Sequence, residues 1–279
     1  MLDFVPEIPV ADWITLFVEW VQNTFEFIFD PIKEDFGEFI EWTSASLSTI
    51  PPIVVILIVA ILAFFITGKK FGLAVFSIVG LWFIYNQGLW EHLMYTFSLV
   101  LFASIISVII GIPTGIWMSK SKWAQTIITP ILDFMQTMPA FVYLIPAILF
   151  FGIGMVPGVF ASVVFATPPV VRFTNLGIRQ VSQELVEAAD AFGTTGSQKL
   201  FKVELPMARK TIMAGGVNQT IMLSLSMVVI ASMIGAPGLG NDVLTALQRS
   251  QEGPGFVAGL GIVILAIIID RISQNLNKG

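Results

Sequence analysis

The feature that most constrains this chain is its set of long apolar runs. Leu93–Met118 and Thr211–Ile234 carry no charged residue, and about 20 apolar residues suffice to cross a bilayer as a helix. Inside a membrane every backbone N–H and C=O must find a partner within the chain, which leaves helices or a closed barrel. Barrel strands alternate apolar and polar residues in period two, and these runs do not. An all-α integral membrane protein is therefore expected, with about seven transmembrane helices: Pro51–Thr67, Phe71–Tyr85, Leu93–Met118, Pro130–Phe151, Val156–Phe173, Thr211–Ile234 and Phe256–Ile269. The second is short, and Pro139 and Pro146 break the fourth. Composition agrees: 56% of the 279 residues are hydrophobic and 12% charged, where a soluble domain carries about a quarter charged residues.

Lysine and arginine set the expected orientation. With loops numbered alternately from an external N-terminus, one side receives Lys69, Lys70, Lys120, Lys122, the cluster from Arg172 to Lys210, Arg271 and Lys278. The other side receives only Lys33 and Arg249. The N-terminus is thus expected outside and the C-terminus in the cytoplasm. The start lacks a basic n-region and does not look like a secretory signal. The first 50 residues hold ten acids and one lysine. Polar residues recur at Asp12, Thr15, Glu19, Gln22, Glu26 and Asp30, one face of an amphipathic helix, with Trp13, Leu16, Phe17, Trp20 and Phe27 on the rest. That helix is expected to lie on the outer membrane surface or against a partner subunit. Pro51-Pro52 ends it and suits the first turn of the next helix.

One internal segment looks like soluble helix. From Glu184 to Phe192 helix formers follow an acid in the first turn, and Ser182 is placed to cap them. Leu185, Ala188, Ala189 and Phe192 fall at i, i+3, i+4, i+7 and form a narrow apolar stripe, with Glu184, Glu187 and Asp190 off it. Gly193 suits a left-handed helix end. "SQKLFKVE" offers a second short helix, expected to stop at Leu205-Pro206. The expected shape is a knob with an apolar tip and a charged rim. These residues fit a connector lying against lipid headgroups or a helix docking in a partner's groove.

"EAADAFGTTGSQKLFKVELP" resembles the EAA loop of ABC-importer permeases, with Glu187, Ala188, Ala189, Gly193, Leu205 and Pro206 at that spacing and Val203 at its aliphatic position. "LSLSMVVIASMIGAPGLGNDVL" and "GIVILAIIIDRISQ" are similar to permeases for glycine betaine and related quaternary amines. The resemblance implies the type I importer (MetI-like) permease fold in a bacterial cytoplasmic membrane. It implies an acidic extracytoplasmic segment at 1–50, two N-terminal membrane helices at 51–91, and a core permease domain at 92–279 with its cytoplasmic loop at 182–210. Glu184, Leu185, Glu187, Ala188, Ala189, Phe192, Gly193, Leu205 and Pro206 would couple to a separate ABC ATPase. The implied assembly is two ATPase subunits holding ATP and Mg, a second copy of this permease, an extracytoplasmic substrate-binding protein and membrane lipid, with no nucleic acid and no cofactor on this chain.

The residues point to no chemistry of the chain's own. No G-x-x-x-x-G-K-[ST] phosphate loop occurs, since "TGKK" at Thr67–Lys70 lacks the earlier glycine. There is no cysteine, no catalytic constellation and no cluster of metal ligands. His92, the one histidine, sits beside Glu91 without an evident relay partner and reads as an interfacial anchor. Asp133 and Asp270 read as cytoplasmic boundary residues. Gln136, Thr137, Asn218, Gln219, Thr220, Ser224 and Ser226 either line a translocation path or tie helices together. Phe134, Met135, Met138 and Phe141 offer faces to a quaternary ammonium or pack. Two alternatives stay open. One is an importer permease for another small solute. The other is a secondary transporter, which usually carries ionisable residues at mid-span.

Overall fold

The computed structural model describes residues 9–276, and among them every regular element is a helix. In order they are α1 (Val10–Thr24), α2 (Glu26–Lys33), α3 (Asp35–Thr49), α4 (Pro52–Ile66), α5 (Phe71–Asn86), α6 (Trp90–Lys120), α7 (Lys122–Thr137), a 3-10 turn (Ala140–Tyr143) and α8 (Leu144–Phe151). They continue as α9 (Met155–Arg179), α10 (Gln183–Ala191), α11 (Gly196–Ser232), α12 (Leu239–Gln248) and α13 (Glu252–Leu276).

Four helices, α6, α9, α11 and α13, are each long and apolar enough to cross a membrane. The expected fourth crossing is a bent pair: α7 and the stretch ending in α8 meet at 107°. The corner falls at Met138-Pro139, where the Tyr143 hydroxyl donates to the Met135 carbonyl. Pro146 breaks nothing, because it lies in the first turn of α8, where a missing N–H is harmless. The helix before the corner starts at Lys122 rather than Pro130, with the Ser121 hydroxyl accepting from Ala124 N. The helices α4 and α5 have 15 and 16 residues. At 1.5 Å per residue they reach about 22–24 Å, short of the roughly 30 Å hydrocarbon core. Seven crossings is therefore an approximate count. Pro52 opens α4 as expected.

The centre of the bundle is α6 packed on α9. Gly111 and Gly115 stand one turn apart on α6. A Cβ on Gly115 would lie 2.6 Å from the Val171 carbonyl oxygen, and one on Gly111 would meet the Val170 side chain. Small residues at this spacing let membrane helices touch backbone to backbone. Helix α9 runs unbroken through Pro168 and Pro169. Each proline removes an N–H from the ladder, and two hydroxyls bond to carbonyls of this stretch. Thr167 donates to the Val163 carbonyl at 2.6 Å, and Thr220 of α11 donates to the Ala166 carbonyl at 3.0 Å. These bonds fall on the carbonyls either side of Val164 and Phe165, the two that the prolines leave without a backbone donor.

The acidic N-terminal segment differs from the expected single amphipathic helix. It divides at Phe25 into α1 and α2, and α3 follows. In α1 no residue is buried, and Trp13, Leu16, Phe17 and Trp20 are all exposed. Phe29 of α2 stacks on Phe150 at 4.8 Å. Helix α3 packs on the chain's own α6 and α9, with Ile40 and Ser44 fully buried and Phe36 and Phe39 edge-on to Phe102. Gly37 permits this approach, since a Cβ there would lie 3.2 Å from a Val156 methyl. An intrachain surface therefore holds α3.

Candidate functional site

Helix α10 and the start of α11 form the knob that the charged segment led us to expect. Ser182 occupies the N-cap position but its hydroxyl makes no cap bond. Gln183 reaches along the exposed first turn to Glu187 instead, at 2.8 Å. The other end behaves as expected. Gly193 has φ +74°, its N–H donates to the Asp190 carbonyl, and the Thr194 N–H donates to that of Ala189. This double wrap is the Schellman arrangement that a left-handed residue permits. A capping box that the sequence reading passed over then starts α11. The Thr195 hydroxyl accepts from Gln198 N, and the Gln198 side chain accepts from Thr195 N at 2.9 Å. Lys199 ties the two helices with bonds of 2.8 and 2.9 Å to Asp190.

The expected stop at Leu205-Pro206 does not occur. One continuous helix runs from Gly196 to Ser232, 37 residues. The backbone over Leu200–Glu204 takes π geometry, and again over Ile212–Val217. The wider i→i−5 turn makes room for the Pro206 ring and its missing donor. The second helix of the loop and the sixth expected span are thus a single rod. Its base is fixed by Glu204, only 4% exposed, which forms an ion pair with Lys120 at the end of α6. Leu205 packs on the cluster of Ile178, Ala208 and Ile212, while Pro206 is exposed. The one sequence signal for Glu204 was an acid inside an otherwise apolar and basic stretch.

The apolar stripe on α10 divides. Ala189 is buried toward α11. Leu185, Ala188 and Phe192 face outward, with Phe192 89% exposed. Glu184 and Glu187 are exposed beside them, and Phe201 adds a second outward aromatic. An aromatic ring this exposed, beside acids on a braced helix, suits contact with another protein or with lipid headgroups.

The polar residues of the spans separate into ties and surface groups. Thr220 and Ser224 are both fully buried. Thr220 binds α9, and Ser224 donates back to the Thr220 carbonyl at 3.0 Å. In this conformation neither lines a surface. Asn218 donates to Asp270 of α13 at 3.0 Å, and Gln274 donates to both oxygens of that carboxylate. Asp270 is therefore held by two amides. Asp133 pairs with Arg172 across α7 and α9. Gln219, Gln136 and Thr137 lie exposed, the last two at the α7–α8 corner beside exposed Phe134 and Phe141. His92 also has a partner that sequence spacing hid, Asp242 of α12 at 2.6 Å. The "GAPGLG" turn docks nearby: Gly238 at φ +120° lies against Thr96, whose hydroxyl accepts from Leu239 N at 2.9 Å.

A helical bundle of this architecture has the MetI-like type I importer permease fold. The fold matches a chain of the inward-facing MetNI methionine ABC transporter with TM-score 0.61, over 66% of this chain and 92% of that one at 20% identity. It matches an amino acid ABC transporter crystallised with histidines with TM-score 0.57, over 70% and 95% of the two chains at 20% identity. Residues 107–279 match the family described as binding-protein-dependent transport system inner membrane component, and this chain belongs to that family. It is 55% identical to the glycine betaine/carnitine transport permease protein GbuB of Listeria monocytogenes, over 98% of this chain and 97% of that one. It is 51% identical to the glycine betaine transport system permease protein OpuAB of Bacillus subtilis, over 99% and 96%. With the glycine betaine/proline betaine permease protein ProW of Escherichia coli it shares 46% identity, over 97% and 76%. It is accordingly a multi-pass permease subunit of the inner membrane.

Proposed function

We propose that this chain carries glycine betaine or a related quaternary amine through the membrane, as the permease subunit of an ABC importer driven by a separate ATPase. The observation that carries the coupling is the 37-residue helix that joins the exposed knob to a membrane crossing. A displacement of α10 by a closing ATPase moves α11 directly, because the capping box, the Asp190–Lys199 pair and the Glu204–Lys120 pair leave little slack at the joint. The assembly pairs two copies of this chain with two ATPase subunits, which hold ATP and Mg, and with an external substrate-binding protein. The substrate follows from the printed names of relatives at 46–55% identity that match nearly the whole chain. The path runs between the two permease copies, past surface groups such as Gln136, Thr137 and Gln219, with Phe134 and Phe141 offering ring faces to a cation.

The test is ATP hydrolysis by the complex purified with its natural partners and reconstituted in vesicles. Glycine betaine, carnitine and proline betaine are expected to stimulate hydrolysis. Stimulation by an unmethylated amino acid and not by any of the three would move the chain to a permease for another small solute. Solute uptake into the vesicles driven by a proton or sodium gradient in the absence of ATP would favour a secondary transporter.

Orientation is tested separately. The basic end of the bundle is taken as cytoplasmic. The chain has no cysteine, so single replacements report cleanly. In intact cells Asn241→Cys is expected to react with an impermeant maleimide, and Ser197→Cys only after permeabilisation. Both positions are exposed. Labelling of Ser197→Cys from outside would invert the topology.

A further inference from the structure

A crevice of about 460 Å³ lies between α3 and α4 on one side and α5, α6, α11 and α13 on the other. Every lining side chain except Ser273 is apolar. On α4 the lining runs from Val55 to Leu62, and on α13 from Leu265 to Ser273, so the crevice follows about 10–12 Å of helix. Apolar cavities of this kind do not hold water, and the fluid around a membrane-spanning bundle is hydrocarbon.

On three of the lining helices, cations lie close in sequence to the lining residues. Past Leu62, at the end of α4, come Lys69 and Lys70. One turn before Met213 on α11 come Arg209 and Lys210, and next to Ile272 on α13 is Arg271. Among the described residues none of these five cations forms an ion pair. Asp270, the acid at this end of α13, is engaged by Asn218 and Gln274. The lysine turn is also conformationally forced. Gly68 and then Lys69 are both left-handed, with φ +69° and +65°, and the Lys69 N–H donates to the Phe64 carbonyl at 2.9 Å. A non-glycine residue adopts that conformation uncommonly, and here the turn ends α4 just before two exposed lysines.

We propose that this crevice binds one acyl chain of a membrane phospholipid, whose phosphate is held by the basic end formed by Lys69, Lys70, Arg209, Lys210 and Arg271. An acyl chain gains little by leaving bulk lipid for an apolar crevice, since both are hydrocarbon. Retention therefore depends on the phosphate contacts and on close packing along the walls. Basic pockets between membrane helices recognise headgroups in this way. The assignment to the cytoplasmic leaflet rests on the orientation proposed above.

The experiment is native mass spectrometry of the whole transporter, ATPase included, extracted from vesicles of equal parts phosphatidylcholine and phosphatidylglycerol. The unaltered complex is expected to retain phospholipid. Val59→Trp fills the crevice from its α4 wall and should remove that lipid. Lys69→Gln with Lys70→Gln, both on an exposed turn, should lower retention on the order of tenfold. Val79→Trp, on the exposed face of α5, should leave retention unchanged. Equal retention by the unaltered complex, by Val59→Trp and by the lysine pair overturns the site. So does a Val59→Cys variant that cross-links to a second copy of the chain without bound lipid, which would show the crevice filled by protein. Loss of lipid in Val59→Trp together with external labelling of Ser197→Cys keeps the site and moves only its leaflet.

Discussion

Gly115→Leu is expected to prevent accumulation of the folded chain. The added Cβ alone would lie 2.6 Å from the Val171 carbonyl oxygen and 2.6 Å from Thr174 Cβ. The first contact is backbone, so no rotamer change relieves it. Helix α9 cannot retreat easily either, because it is also packed on α11 and bonded to Thr220. Overpacking of this kind costs about 1–3 kcal/mol for modest insertions, and leucine adds three further carbons. Gly115→Ala should already lower the melting temperature of the purified complex. Gly111→Ala should lower it less, because its new methyl meets the Val170 side chain rather than backbone. Gly72→Leu is the control, since nothing lies within 4 Å of a Cβ there. Membrane levels and thermal melting are the measurements. Normal accumulation and melting of Gly115→Leu would show that α6 and α9 are not packed as described.

Phe192→Ala is expected to weaken co-purification of the ATPase about 30-fold while leaving insertion unchanged. The ring is 89% exposed, so its removal takes nothing from the chain's own stability. Buried aromatic anchors of an interface carry about 2 kcal/mol or more, which is the stated factor. Ala188→Trp adds bulk on the same outward face, and Glu187→Lys reverses a charge beside it. Gly193→Val acts differently. Nothing lies within 4 Å of a Cβ at Gly193, so the penalty is conformational: φ +74° costs an L-residue roughly 1–2 kcal/mol, and more with a branched Cβ. Relieving it would re-aim α10 relative to α11. All four chains should insert normally and fail in ATPase docking or in substrate-stimulated hydrolysis. Full docking and full coupling in all four would leave α10 as a connector resting on lipid headgroups.

The charged loop shows how much of a site is legible along the chain. Helix α10, its left-handed end at Gly193 and the outward acids were all readable, because each depends on residues within a turn or two. Pro206 misled for the opposite reason. A proline is a local stop signal, but the π turn that absorbs it is stabilised by what surrounds it, including the Glu204–Lys120 pair between positions far apart in sequence. The interior polar residues were ambiguous from the same cause. Nothing local distinguishes Thr220, spent on the Ala166 carbonyl, from Gln219, exposed on the next position. His92 looked solitary until the fold brought Asp242 to it.

The sequence by itself determined that the chain is helical and membrane-spanning, roughly where the crossings run, and at which end most cations gather. Hydrocarbon length and backbone satisfaction allow few other outcomes for such apolar runs. It also carried the spacing of the charged loop. Only the tertiary structure decided that the loop and the sixth crossing are one rod, that α3 packs on the chain's own bundle, and that Gly111 and Gly115 face α9. It alone decided which hydroxyls tie helices and which amides stay on the surface. Those outcomes depend on pairs of residues brought together by packing, where one backbone approaching another sets what fits, and no periodicity along a single helix encodes its partner.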